Sequence, residues 1–229
     1  VLAGVMMILS CYTYIAARSQ AKVLKGQPKA PKKTLAFGVI IKQPVFIFMA
    51  LLAFGYGAVE FGNANWFVSY AQNGLGFSGE QSRNLLACFT AGMVISRLTF
   101  PFLLRFVSVH RLIVLMATAS LAGVFTLKLM PSLYGIGAGN LLLGLGLGGL
   151  FPLMLSAAMN IDSDNGPVLS GIAIIGNSTG VQVASFSTGL WANFAPLTTA
   201  FWVIPIGGCL LWLASYGYSR KIKYRNSPA

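Results

Sequence analysis

The chain has 229 residues, of which 56% are hydrophobic and 9% charged, against about 25% charged in an ordinary soluble domain. Its 16 basic and 4 acidic residues give a formal charge of +12, but the cations lie between apolar runs, where they set membrane orientation, so the basicity does not point to nucleic acid. Four acids, one histidine and three cysteines (Cys11, Cys88 and Cys209, all in apolar segments) leave no metal-type spacing, and the odd cysteine count argues against a disulfide framework. There is no hydrolytic constellation and no phosphate-cradling Gly-x-x-x-x-Gly-Lys stretch. The composition therefore predicts an integral membrane protein that is not an enzyme and carries no cofactor or metal.

Seven apolar segments follow one another, at residues 1–17, 44–70, 82–107, 109–130, 134–159, 167–194 and 196–219. Each is near the roughly 20 residues a helix needs to cross the hydrocarbon, and a helix satisfies its own backbone there. The chain opens on Val1 in mid-run, without a signal-peptide pattern, so it reads as a fragment or processed piece of something longer. Residues 18–43 hold Arg18, Lys22, Lys25, Lys29, Lys32, Lys33 and Lys42 and no acid. The positive-inside rule makes this loop cytoplasmic. Strict alternation then puts the tail, residues 220–229, on the same side, with every cation except Arg83 and Lys128 at or near the inner face. The predicted address is a multi-pass protein of the plasma (inner) membrane, in contact with the lipid bilayer.

Within the second segment, Tyr56, Glu60, Asn63, Phe67 and Tyr70 recur at helical spacing and share one face. Glu60 is the only acid in any of the long apolar runs. A carboxyl at bilayer depth is costly unless protonated, paired or wetted, so it marks a functional site. The stripe faces either a water-accessible cavity or other helices, where it would form a polar network holding them together. Trp66 lies within two turns of Glu60, and Asn177 and Gln182 in the sixth segment join the candidate cavity residues.

In the fifth segment Gly137, Asn140, Gly144 and Gly148 share a face that predicts a close helix approach, and Pro152 predicts an interruption of the helix ladder. Gly176 and Gly180 form a second small-xxx-small pair, and Ser178, Gln182 and Ser185 a polar stripe. A seven-helix receptor also fits the span count. A retinal protein does not, because residues 196–219 contain no Schiff-base lysine. A channel would need a filter-like repeat, and none is visible.

Four stretches carry a family resemblance. Gly92-Met-Val-Ile-Ser-Arg97, with Arg105 and Arg111 around a short turn, resembles the second copy of the inner-loop motif of the major facilitator superfamily; Ser96 stands where an Asp is common. Residues 144–152 resemble that superfamily's Gly-rich tenth helix, and residues 170–180 its small-residue eleventh. Glu60 followed by Asn65-Trp66 resembles the seventh helix of the fucose-permease-like branch.

The resemblance implies an all-α fold. One helix (1–17) would end an N-terminal half, a basic inter-half loop (18–43) would follow, and a C-terminal six-helix bundle (44–219) would be built as two inverted three-helix repeats. It implies a secondary active, proton-coupled transporter of a small polar solute such as a sugar or related metabolite, with the N-terminal half as partner. It also implies an inner-face gate in which Arg97, Arg105 and Arg111 pair with Asp162 and Asp164.

Overall fold

A computed structural model describes residues 44–161 and 166–225. Among these the protein is all-helical, and six helical stretches are long and apolar enough to cross a membrane. The chain is a multi-pass membrane helix bundle. The residues of the predicted first segment and basic loop, and Asp162 and Asp164, lie outside the described residues.

Helix α1 (Pro44–Ser69) starts on a proline at its first position, where the missing N–H costs nothing. It runs into a π-helical turn, Tyr70–Gly74, and the chain reverses through Gly76, whose φ of +76° suits a residue without a side chain. Helix α2 (Gly79–Leu103) begins with a capping box. The Ser78 hydroxyl accepts from Gln81 N–H at 3.2 Å, and the Gln81 side-chain oxygen accepts from Ser78 N–H at 3.0 Å, which satisfies two otherwise orphaned donors. That box places the helix start three residues ahead of the position suggested by hydrophobicity.

Helix α3 (Val109–Leu129) precedes α4 (Leu133–Leu147), which is capped by Ser132 accepting from Gly135 N–H at 3.1 Å. The span begun by α4 is not continuous. It breaks at Gly148–Gly149 and resumes as α5 (Leu150–Ile161). Helix α6 (Gly166–Ala192) follows, then a single turn α7 (Leu197–Ala200) and α8 (Val203–Arg225). The last helix continues past residue 219 into the basic tail.

Two helices organise the packing. Helix α1 packs most extensively on α6 and α8; α4 packs most extensively on α2 and α3; and α3 packs on α8. Glycines set the order of contacts. Along α1 and α6 the approach runs Ala50 to Gly176, Phe54 to Gly180 and Trp66 to Gly189, so these two helices are parallel. Phe89 meets Gly144 and Met93 meets Gly148, so α2 and α4 are parallel too. The pairings of Phe48 with Gly217 and Gly55 with Leu211 make α1 and α8 antiparallel, and those of Gly123 with Leu143 and Leu127 with Gly139 do the same for α3 and α4. In lipid such close approach stands in for the hydrophobic drive that water would supply.

Gly144 shows how strict the requirement is. A Cβ there would overlap the Phe89 carbonyl oxygen and stand 2.9 Å from the Met93 amide nitrogen. Gly137, on the same predicted face, is looser: its nearest neighbour would be Leu85 Cδ2 at 3.5 Å. Helices α2 and α6 are the least covered spans, with Leu98, Phe102, Ile175 and Phe186 among their exposed apolar residues.

An aromatic cluster gathers the ends of α1 and α3 around α7. Tyr70 stacks on Phe201 at 4.1 Å between ring centroids. The Lys128 ammonium lies 5.2 Å from the Tyr70 ring and 5.4 Å from the Trp202 ring, and donates to the Thr198 carbonyl. This cation–π clamp ties the ends of α1 and α3 to α7.

Candidate functional site

The stripe on α1 is one face, as its spacing predicts, but that face is turned into the bundle. Tyr56, Asn63, Phe67 and Tyr70 are buried, and Glu60 is half-buried. Tyr56 packs on Phe151 of α5 with centroids 5.3 Å apart. Asn63 Nδ2 donates to Asn140 Oδ1 of α4 at 3.1 Å. Phe67 lies 6.5 Å from Tyr70, which stacks on Phe201. Three members of the stripe therefore join α1 and its π-helical end to α4, α5 and the residues between α7 and α8. Glu60 sits at the edge of the stripe.

Around Glu60 the polar groups converge. It interacts with Tyr56, one turn earlier, and lies close enough to Arg97 of α2 for that charge to act on both Tyr56 and Glu60. Arg97 is exposed, and its Nε–H donates to the Gly148 carbonyl at 3.2 Å. The preceding residue, Ser96, is buried, and its hydroxyl accepts from Gly149 N–H at 3.1 Å. Two consecutive side chains of α2 thus hold the two residues of the α4/α5 break.

Pro152 explains why that carbonyl is free. It has no N–H to offer the residue four before it, and its ring crowds that same carbonyl. The residue four before Pro152 is Gly148. The ladder resumes at once, with Leu153 N–H donating to Gly149 O at 3.2 Å. The predicted interruption is real; it falls at the two glycines rather than at the proline, and α2 supplies the missing donor.

The other predicted cavity residues are dispersed. Trp66 is half-buried, its ring 3.1 Å from where a Cβ of Gly189 would stand. Asn177 is half-buried, with its carbonyl and side-chain oxygens against Gly57. Gln182 is exposed, as is Ser178 one turn earlier. Asn65, which the spacing did not single out, is exposed and donates to Ser185 Oγ at 3.2 Å, linking α1 to α6.

Four buried polar atoms have no hydrogen-bond partner among the described residues: Asn63 Oδ1, Asn140 Nδ2, Ser120 Oγ and Asn177 Oδ1. Such orphans are few in folded proteins, and each calls for a reason such as strain, a functional role or a bound water.

Of the predicted gate, Arg97, Arg105 and Arg111 are described, while their expected partners Asp162 and Asp164 lie outside the described residues. Arg97 donates to the helix break. Arg105 lies in the turn after α2 with its guanidinium 5.6 Å from the Phe102 ring, and Arg111 is exposed in the first turn of α3. Among the described residues no three His, Cys, Asp or Glu side chains cluster in a metal-binding arrangement. The residue that spacing missed is Ser96 in its role at the break. The signal for half of that arrangement was present, since a proline four residues after a glycine frees one known carbonyl.

The fold and the site define a polytopic helical membrane protein with a polar cluster at a broken span. No family model, curated protein or solved structure matches the chain.

Proposed function

We propose that this chain is the C-terminal part of a secondary active transporter of major facilitator type, moving a small polar solute by alternating access with proton coupling through Glu60. The observation that carries the reading is the half-buried Glu60 beside Tyr56, Arg97 and a break in the opposite span. Discontinuous helices with an ionisable group beside them are how transporters expose backbone and charge to a solute.

The packing supports an inverted repeat. Exchange α1 with α4/α5, α2 with α6, and α3 with α7/α8. The parallel α1–α6 contact then becomes the parallel α4–α2 contact, the antiparallel α1–α8 contact becomes α4–α3, and α3–α8 maps onto itself. The two least covered spans, α2 and α6, exchange places. Their exposed apolar faces suit docking of an N-terminal half. In this reading the basic segment 18–43 is the cytoplasmic inter-half loop in the inner membrane, by the positive-inside rule.

The test is paired uptake and exchange in proteoliposomes of the full-length protein under an imposed pH gradient. Glu60→Gln keeps shape and hydrogen-bonding capacity but carries no proton. It is expected to abolish uphill accumulation and to leave counterflow exchange largely intact. Full activity of the variant in both assays removes Glu60 from the mechanism.

A further inference from the structure

We propose that Arg97 is a solute-binding group and that the transported solute carries a carboxylate, which the Arg97 guanidinium receives at the α4/α5 break. This rests on the transporter reading above and adds the chemical class of the solute.

Three observations lead there. First, Arg97 is exposed although it lies within a span, and among the described residues its only hydrogen bond is the single Nε–H given to Gly148. A guanidinium has five donors in a rigid fork. The two terminal nitrogens therefore keep four N–H groups, and their end-on edge matches the two oxygens of a carboxylate. Second, the side chain is held before any solute arrives. The Gly148 carbonyl fixes its Nε, and the neighbouring Ser96–Gly149 bond fixes α2 against the break. A pre-positioned donor binds with less ordering cost than a free one. Third, among the described residues the Arg97 charge acts on Glu60 without closing an ion pair with it, and Tyr56 engages the same carboxyl.

The charge balance selects among anions. A phosphate brings a charge of about −1.5 to −2 at neutral pH, which one guanidinium beside a carboxyl does not neutralise. A single carboxylate matches one Arg97 when Glu60 carries its proton, the state that proton coupling through Glu60 supplies. A neutral polyol would leave the fork paired only with dipoles.

The experiment is binding of matched solutes to the full-length protein in nanodiscs, read by calorimetry and thermal shift. The probes are hexoses with their hexuronates, short alcohols with their carboxylic acids, and glucose 6-phosphate. In the unaltered protein at least one carboxylate is expected to bind roughly tenfold or more tightly than its neutral partner, the value of a charge-assisted pair. Glucose 6-phosphate should show no such gain. Arg97→Gln should erase the discrimination, so that carboxylate and neutral partner bind the variant equally, and Arg97→Lys should restore part of it. A role in capping Gly148 alone would lower stability without touching the ratio between partners.

Equal binding of both members of every pair, no carboxylate binding at millimolar concentration, or a carboxylate preference that survives Arg97→Gln each overturns the proposal. The wild-type comparison decides even if Arg97→Gln does not fold. Glu60-dependent accumulation of a neutral solute alone would sink this proposal and leave the transporter reading standing. Carboxylate binding without accumulation of any solute would do the reverse.

Discussion

Replacing Gly144 by alanine adds one methyl group at the tightest crossing of α2 and α4. The new Cβ would overlap the Phe89 carbonyl oxygen and stand 2.9 Å from Met93 N, both of them backbone atoms that cannot rotate aside. Ordinary contact begins at 3.4 Å, so the two helices must part by about 0.5 Å at Met93 and further at Phe89. Overpacking of this kind costs about 1–3 kcal/mol, and rigid neighbours put the cost at the upper end. The helix-propensity gain of alanine over glycine, about 1 kcal/mol, offsets part of it. The expected net loss of about 1–2 kcal/mol lowers the unfolding midpoint in detergent by roughly 2–8 °C for a chain of this size. Gly171 is the control, because a Cβ there meets nothing within 4 Å. Gly171→Ala should leave the midpoint unchanged or raise it. Gly137→Ala, with only Leu85 Cδ2 at 3.5 Å, should resemble Gly171→Ala although it lies on the same face as Gly144. The packing argument fails if Gly144→Ala unfolds no earlier than Gly171→Ala.

Pro152→Ala restores an N–H facing the Gly148 carbonyl that Arg97 now occupies; the unfolding free energy should rise by up to roughly the 3 kcal/mol that an interior proline can cost, with slower solute uptake. Uptake at the wild-type rate would mean that the break is not used. The Asn63–Asn140 pair predicts strong coupling: Asn63→Leu or Asn140→Leu alone strands a buried amide and should cost about 1–3 kcal/mol, whereas the double variant should recover much of that. Additive losses in denaturation of the four proteins would refute the coupling.

Much of this molecule was legible as one-dimensional chemistry. A backbone in lipid must bond to itself, so runs of about 20 apolar residues mark the spans with little ambiguity. The predicted segment 44–70 becomes α1 with its π-helical end, and 109–130 becomes α3. Helical period alone places Tyr56, Glu60, Asn63, Phe67 and Tyr70 on one face. It also marks Gly144 and Gly180 as sites of close approach.

Period does not say what covers a face. Only the tertiary structure decides that Asn63 meets Asn140, that Tyr56 meets Phe151, and that Glu60 alone of the stripe stays at the edge. The helix break is divided in the same way. Pro152 and its distance from Gly148 determine that a carbonyl is released, because a missing N–H is a local fact. That Ser96 and Arg97 of another helix answer it depends on the parallel packing of α2 on α4, which depends in turn on glycines whose contacts lie some fifty residues away in the chain.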